Sequence, residues 1–362
     1  MLLRKRLYPA VVAVMLLFLI LASQRFQERT FLPRPSAPST GEAGPTWRET
    51  VAEPTAPPPV LTPAPKLEAK KEPVDSQFEL RSCGCSESCI SDVEGSAWFS
   101  KRYDPKQQPI LRQKNNDFDP DALRWWLALQ QATNDQTMEK VISDMFRVIS
   151  PPTIDFKRRP SRCRRCAVVG NSGNLRKSKR GILIDSHDFV IRMNKAVTKG
   201  HEKDVGNRTT HHFLYPESAV DVNRGVSLIL LPFKLKDLEW LTSALSTGHI
   251  KMTYMKVKDR VEADKDKVLV VNPVFFKYVH DYWTEQHGRY PSTGMLAVIF
   301  ALHICDQVSV FGYGADKQGN WDHYWEENRY AGAFRKTGVH SADFETNVIH
   351  QLAKEEKIKL YV

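Results

Sequence analysis

Beyond residue 160 the chain alternates short apolar bursts with small polar islands. Ala167–Gly170, Phe189–Met193, Ser227–Leu231, Lys267–Val271 and Val308–Gly312 are too short for helices and predict buried strands. Leu235–Thr247 and Met295–Ile304 are longer and predict helices. Asp119-Pro120 marks the start of another, with the aspartate as cap and the proline in the first turn. Strands alternating with helices predict an α/β fold: a Rossmann-like, largely parallel twisted sheet with helices on both faces. Ligands of such sheets sit beyond the carboxyl ends of the strands, beside the point where strand order reverses. The islands Gly170–Asn174, Asn194 and Gly312–Asp316 fall there. Tyr290–Gly294 instead precedes a helix, where unpaired N–H groups can hold a phosphate.

The run Cys166-Ala-Val-Val-Gly-Asn-Ser-Gly-Asn-Leu175 stops an apolar strand in a small, glycine-flanked loop. Its N–H groups and the side chains of Asn171, Ser172 and Asn174 can face an anion. It is not the G-x-G-x-x-G dinucleotide fingerprint, and by itself it fits a sharp turn equally well.

Near the N-terminus, Arg4, Lys5 and Arg6 precede an uncharged apolar stretch, and no charge follows until Arg25. Its apolar core of roughly 15 residues is short against the usual span of about 17–25, so a cleavable signal peptide is the rival reading. The absence of a small-x-small cleavage pattern and the long polar segment that follows favour an anchor. The expected layout is a cytoplasmic tail at 1–8, a transmembrane signal anchor at 9–23, a Pro/Ser/Thr-rich stem at 24–77 and a single luminal catalytic domain at 78–362. The basic flank sets a type II orientation, and a short span suits the thin membranes of the early secretory pathway and the Golgi. The stem has too few large apolar residues to offset the entropy of folding.

The net charge of +10 is spread among acidic residues with no zinc-finger, helix-turn-helix or RNP pattern, which argues against a nucleic-acid partner. All six cysteines, Cys83, Cys85, Cys89, Cys163, Cys166 and Cys305, lie on the luminal side, where an even count predicts disulfides without choosing their pairing. A zinc site of Cys163-x-x-Cys166 with the Cys83 cluster ranks below that, because no ligand-spaced histidine accompanies it. Three Asp-x-Asp pairs occur: Asp117-Phe-Asp119, Asp119-Pro-Asp121 and Asp264-Lys-Asp266. None follows a strand as a metal-holding pair would, so no metal is expected.

Four ordered motifs carry a family resemblance: Cys166–Tyr215, Arg289–Tyr313, His323-Tyr-Trp-Glu326 and His340-x4-Glu345. Together they closely resemble the sialylmotifs of eukaryotic sialyltransferases, a likeness that spans nearly all of the chain after Cys83. Arg124-Trp-Trp126, His211-His212 and Tyr215-Pro-Glu-Ser218 look like the β-galactoside α2,3-sialyltransferases that act on Gal-β1,3-GalNAc. The resemblance implies a glycosyltransferase A-like variant of the fold. It further implies CMP-sialic acid as donor and co-substrate, no cofactor and no metal, galactose-terminated glycoproteins or glycolipids as acceptors, and the Golgi membrane as the place of anchorage. A donor with a phosphate and a carboxylate gives the basic balance a purpose. The oligomeric state stays open, a homodimer included. A sialyltransferase of another linkage or acceptor, or a non-catalytic glycan-binding protein of this fold, are the alternatives.

By the same resemblance Cys166 pairs with Cys305, Cys83 with Cys89, and Cys85 with Cys163. Asn171, Asn194, Tyr254, Ser292, Thr293, Gly294 and Gly314 would surround the donor, while Gln130, Tyr290, Tyr313 and Trp321 would line the galactose site. His340 is the candidate general base, since a neutral imidazole accepts a hydroxyl proton near working pH. His323 is the candidate donor to the departing phosphate, whose charge grows in the transition state. Glu345 is expected to orient a neighbour or cap a turn, and Trp125 and Trp126 to belong to the core. Asp322 departs from the family, where a second histidine usually stands, and Asn207-Arg-Thr209 is a glycosylation sequon.

Overall fold

The computed structural model describes residues 83–113, 118–129, 137–150, 156–328 and 338–362. The expected anchor at 9–23, the stem at 24–77, Asp117 and Gln130 lie outside the described residues.

Among the described residues, seven strands form one all-parallel sheet. They are β1 (Arg165–Val169), β2 (Phe189–Met193), β3 (His211–Leu214), β4 (Ser227–Leu230), β5 (Val268–Val270), β6 (Gln307–Phe311) and β7 (Lys359–Tyr361), in the order β5-β4-β3-β2-β1-β6-β7. The five apolar bursts are β1, β2, β4, β5 and β6. The other two strands lack that signature. β3 opens on His211-His212, both buried, and β7 is a short Lys-Leu-Tyr strand at the sheet edge. Burial drags His211 down to about 4, with the nearby charges of Arg164 and Lys267 acting the same way, so the interior holds a neutral ring.

The principal helices are α1 (Pro120–Ala128), α2 (Met138–Val148), α3 (Leu235–Ala244), α4 (Pro273–Tyr278), α5 (Thr293–Ile304) and α6 (Ala342–Lys354). As expected, Asp119 caps α1 by accepting the Asp121 N–H at 2.9 Å. Side chains alternate across the sheet and so feed two layers. Val168, Ile191, Phe213, Ile229, Leu269 and Val310 point into the layer that holds α4, α5 and α6. On the opposite face Leu228, Leu230, Val268 and Val270 pack with α2 and α3, while Ala167, Val169 and Val190 meet short helical turns.

Helix α5 is apolar on every side, and every residue from Met295 to Ile304 is buried. It crosses β1, β2 and β6, and each fully buried Leu, Ile, Val or Phe there contributes about 1.5–3 kcal/mol. That fixes its N-terminus rigidly beside the carboxyl ends of the strands. Among the described residues no helix is long and apolar enough to cross a membrane.

Cys83–Cys89, Cys85–Cys163 and Cys166–Cys305 are disulfide-bonded, the pairing that the resemblance implies. All six sulfurs are thereby consumed, so the Cys83-Cys85-Cys89 cluster offers no thiolate to zinc. Cys166 lies in β1 and Cys305 ends α5, so their bond pins the turn entering β6 to the neighbouring strand. Trp126 is a core residue whose Nε1–H donates to the Pro232 carbonyl at 2.8 Å, and the half-buried Trp125 stacks on His280.

Candidate active site

Strand order reverses at β1, with β2 on one side and β6 on the other. Beyond the carboxyl ends of these strands opens a cleft of about 580 Å³. Asn171, Asn194, Thr293, Tyr313, His323 and His340 are among its lining residues.

The loops after β1 and β6 are knitted together. Gly170 N–H donates to the Phe311 carbonyl at 2.8 Å, and Ser172 N–H to that of Gly312 at 3.0 Å. Gly312 has φ +70°, and a Cβ there would collide with the Leu175 side chain, so the close approach needs glycine. Asn171 Nδ2–H donates to the Met193 carbonyl at 3.1 Å, which turns its Oδ1 the other way. Asn194 is left-handed at φ +58°, a conformation that asparagine tolerates better than most residues. His212 supports it by donating Nε2–H to the Asn194 carbonyl at 2.6 Å. The Oδ1 atoms of both asparagines are buried and have no hydrogen-bond partner among the described residues. Two unmet acceptors beside one cleft are what a ligand with N–H or O–H donors would satisfy.

His340 sits on a segment paired in antiparallel fashion to Gly288–Tyr290, where Arg289 N–H donates to the Val339 carbonyl at 2.8 Å. Its Nδ1 lies 2.9 Å from the Tyr290 carbonyl. A carbonyl only accepts, so the proton is on Nδ1, and Nε2 keeps a free lone pair. Burial lowers the imidazole below its ordinary value, partly opposed by that hydrogen bond. The result is a neutral, oriented base.

His323 has a different setting. Its backbone bridges to Ser172, and the adjacent Tyr324 N–H donates to the Asn171 carbonyl at 3.0 Å, so its loop docks edge-on against the loop after β1. Arg176 clamps that loop by donating to the carbonyls of His323, Tyr324 and Glu326. The imidazole stacks on Trp325, and its Nδ1 lies 3.0 Å from Glu326 Oε1. With Nδ1–H given to that carboxylate, Nε2 donates only in the doubly protonated ring, for which Glu326 supplies the countercharge. Asp322 is spent on the loop itself, its Oδ1 accepting the Asn328 N–H at 2.8 Å.

The N-terminus of α5 is already occupied by a carboxylate. Glu345 accepts from Ser292 N–H at 2.8 Å and from the Ser292 hydroxyl, while Ser292 Oγ accepts the Met295 N–H and caps the helix. Glu345 therefore orients a neighbour, as expected. Burial raises its carboxyl to about 7 against the opposing pull of Ser292. Ser292 lines the cleft with its N–H already committed, so Thr293 and Gly294 carry the N–H groups left for a ligand at this terminus. Gly314 lines the same cleft.

Other expected residues divide. Tyr313 forms part of the cleft, but its hydroxyl donates to the Gly294 carbonyl at 3.0 Å, so it offers mainly its ring. Trp321 also lines the cleft. Tyr290 stands behind His340, with ring centroids 5.0 Å apart, and does not line it. Tyr254 lies outside the lining on a turn closed by Met252 and Lys256, 65 % exposed, its ring 4.9 Å from the Lys234 ammonium. Asn207 is exposed ahead of β3, at the end of the sheet away from the cleft. Asp264 and Asp266 precede β5 at that same far end, accepting from Gly225 N–H and the Ser150 hydroxyl. Sequence reasoning assigned no role to a buried charge cluster in one wall, Glu217–Lys234–Asp237, because its members come from separate segments.

Known proteins similar to this chain are sialyltransferases. The model of glycosyltransferase family 29 (sialyltransferase) matches residues 110–357. The mouse protein named CMP-N-acetylneuraminate-beta-galactosamide-alpha-2,3-sialyltransferase 2 is 54% identical over 281 residues, 78% of this chain and 80% of that one. The human protein of the same name numbered 1 is 52% identical over 283 residues, 78% and 83% of the two chains. A mammalian sialyltransferase crystallised with Gal-beta-1-3GalNAc-ortho-nitrophenol superposes with a TM-score of 0.72 at 48% identity, over 77% of this chain and 98% of that one. With its motifs gathered on one cleft and a family match across most of its length, the chain belongs to glycosyltransferase family 29, the sialyltransferases.

Proposed function

We propose that this enzyme transfers sialic acid from CMP-N-acetylneuraminate to the 3-hydroxyl of a terminal galactose in Gal-β1,3-GalNAc. The single observation that carries the mechanism is the His340 tautomer: Nδ1–H is tied to the Tyr290 carbonyl, so Nε2 is free for a proton. The names of the relatives and the acceptor in the neighbouring crystal structure support the choice of substrate.

Asn171 and Asn194 line the nucleotide's part of the cleft, and Thr293, Gly294 and Gly314 flank it. His340 Nε2 takes the proton of the galactose 3-hydroxyl as that oxygen attacks the anomeric carbon of the sialyl group. The bond from that carbon to the phosphate oxygen breaks with both electrons going to CMP, and the configuration inverts. His323 donates to the leaving phosphate from Nε2, with Glu326 behind it. No divalent ion is needed for that charge. Tyr313 and Trp321 present aromatic surface to the galactose. The cleft serves a Golgi lumen, with the enzyme held by its type II anchor at 9–23, and a glycan on Asn207 points away from substrate.

Transfer by the full-length protein to a Gal-β1,3-GalNAc glycoside, with and without EDTA, tests this reading beside His340→Ala. The expected result is EDTA-resistant α2,3 transfer that falls by roughly 10²–10⁴-fold in a folded variant, the usual worth of a positioned base. Turnover that survives the substitution removes His340 as the base, and loss with EDTA restores a metal.

A further inference from the structure

Glu217 occupies the short turn Pro216–Ser218 that follows β3, and it is the one member of its charge cluster that lines the cleft. Its side chain and that of Lys234 are 5 % exposed, and that of Asp237 is 0 %. Lys234 Nζ lies 3.2 Å from Glu217 Oε1 and 2.7 Å from Asp237 Oδ1. The Thr253 hydroxyl donates to the same Oε1. Oε1 is therefore held from two sides by segments that follow β4 and precede β5. Oε2 accepts no hydrogen bond among the described residues, and it is not one of the buried unpartnered atoms. With Oε1 committed and Glu217 lining the cleft, Oε2 is the carboxylate oxygen left for a ligand there.

Its surroundings say which substrate it meets. The rings of Tyr215 and Phe233 are 5.7 Å apart, those of Phe233 and Tyr290 5.0 Å, and those of Tyr290 and His340 5.0 Å. A row of packed rings behind the cleft thus runs from the Glu217 turn to His340. The asparagine acceptors follow β1 and β2, and the His323 loop docks on the loop after β1, whereas Glu217 follows β3. A carboxylate oxygen fixed in place loses little side-chain entropy when a sugar hydroxyl donates to it, and such a bond is charge-assisted.

We propose that Glu217 reads the acceptor: its Oε2 accepts a hydrogen bond from a galactose hydroxyl other than the one attacked. This rests on the assignment of galactose as acceptor. Lys234 and Thr253 are then positioning residues, which hold Oε1 so that Oε2 faces the sugar.

The test uses the full-length enzyme, the parent Gal-β1,3-GalNAc glycoside and its 2-, 4- and 6-deoxygalactose analogues. One analogue is expected to lose roughly 10- to 150-fold in kcat/KM with the wild type, the range for a hydrogen bond to a charged group. In Glu217→Gln the parent is expected to lose acceptor kcat/KM while its advantage over that analogue shrinks toward unity, with the donor KM unchanged. Glu217→Asp, which keeps the charge but withdraws it by one methylene, shows the same loss of discrimination if the glutamine variant does not fold. Three deoxy analogues that react like the parent, discrimination that persists in both variants, or an equal rise in donor KM overturns the inference. Failure of the wild type to use the parent glycoside instead overturns the acceptor assignment itself.

Discussion

Replacing Glu345 by glutamine removes one titrating proton from the interior while keeping the shape of the side chain. The native residue is 6 % exposed, and burial lifts its carboxyl from 4.5 to about 7 despite the Ser292 N–H and hydroxyl. The folded state therefore binds the proton more tightly than the unfolded chain. The stability from a raised carboxyl is complete below 4.5 and is lost as pH rises through 7. With those end points, linkage makes the contribution a few kcal/mol, roughly 2–3, at pH 5, smaller at pH 6 and almost nothing at pH 8. Asp237, raised by burial to about 7 as well, adds a trend of the same sign, so the useful quantity is a difference between two proteins. Urea unfolding of wild type and Glu345→Gln, with disulfides intact, should show the stability gap between them changing by roughly 2–3 kcal/mol in favour of the variant from pH 5 to pH 8. Parallel pH curves would refute the reasoning. They would mean that the helix N-terminus and Ser292 keep the carboxylate ionised, burial notwithstanding.

Two further variants probe the frame around the site. Gly288 has φ +79°, and a Cβ there would lie 2.9 Å from the Val339 carbonyl oxygen, so Gly288→Ala should displace the strand that carries His340. Its kcat should fall with the donor KM near wild type, and an unchanged kcat would show that this pairing does not position the base. The Cys166–Cys305 bond spans 139 residues, for which the loop-closure estimate is about 5 kcal/mol. The doubly substituted Cys166→Ser, Cys305→Ser protein should lose stability of that order in chemical denaturation, and a loss under about 1 kcal/mol would show that the packing of α5 alone fixes the β1–β6 junction.

The sheet was legible wherever burial on both faces demanded an uninterrupted apolar burst. β2 runs over the same five residues as its burst, and β1, β4, β5 and β6 lie within a residue or two of theirs. β3 was hidden because two of its four residues are histidines, buried in a place where hydropathy expects leucine. β7 was hidden because three residues at the sheet edge carry almost no pattern. Of the polar islands, Gly170–Ser172, Asn194 and Gly312–Gly314 line the cleft, for the reason that placed them there: polar, glycine-flanked loops at strand ends lie at the switch point. Pairwise commitments escaped the sequence. Nothing in one dimension says that the Tyr313 hydroxyl is spent on Gly294, that Tyr254 stays outside the cleft lining, or that Lys234 and Thr253 converge on one oxygen of Glu217.

The spacing of the last motif has a mechanical origin in those commitments. His340 is anchored by the carbonyl of Tyr290 and Glu345 by the N–H and hydroxyl of Ser292, partners separated only by Pro291. Two residues of extended chain cover about 6–7 Å. The five residues from His340 to Glu345 leave an extended pairing and turn into the start of α6, where the rise drops to about 1.5 Å per residue. A histidine and a glutamate five apart can therefore meet a carbonyl and an N–H two apart only if the helix begins between them. Ser341, just before α6, is where it does. His340 is thereby referenced to the N-terminus of α5, a helix buried from Met295 to Ile304 and the one that carries Thr293 and Gly294. In the proposed mechanism acceptor activation and phosphate binding are set by the same rigid body, so a one-residue insertion between His340 and Glu345 should move His340 relative to Thr293 and Gly294 while leaving the sheet intact.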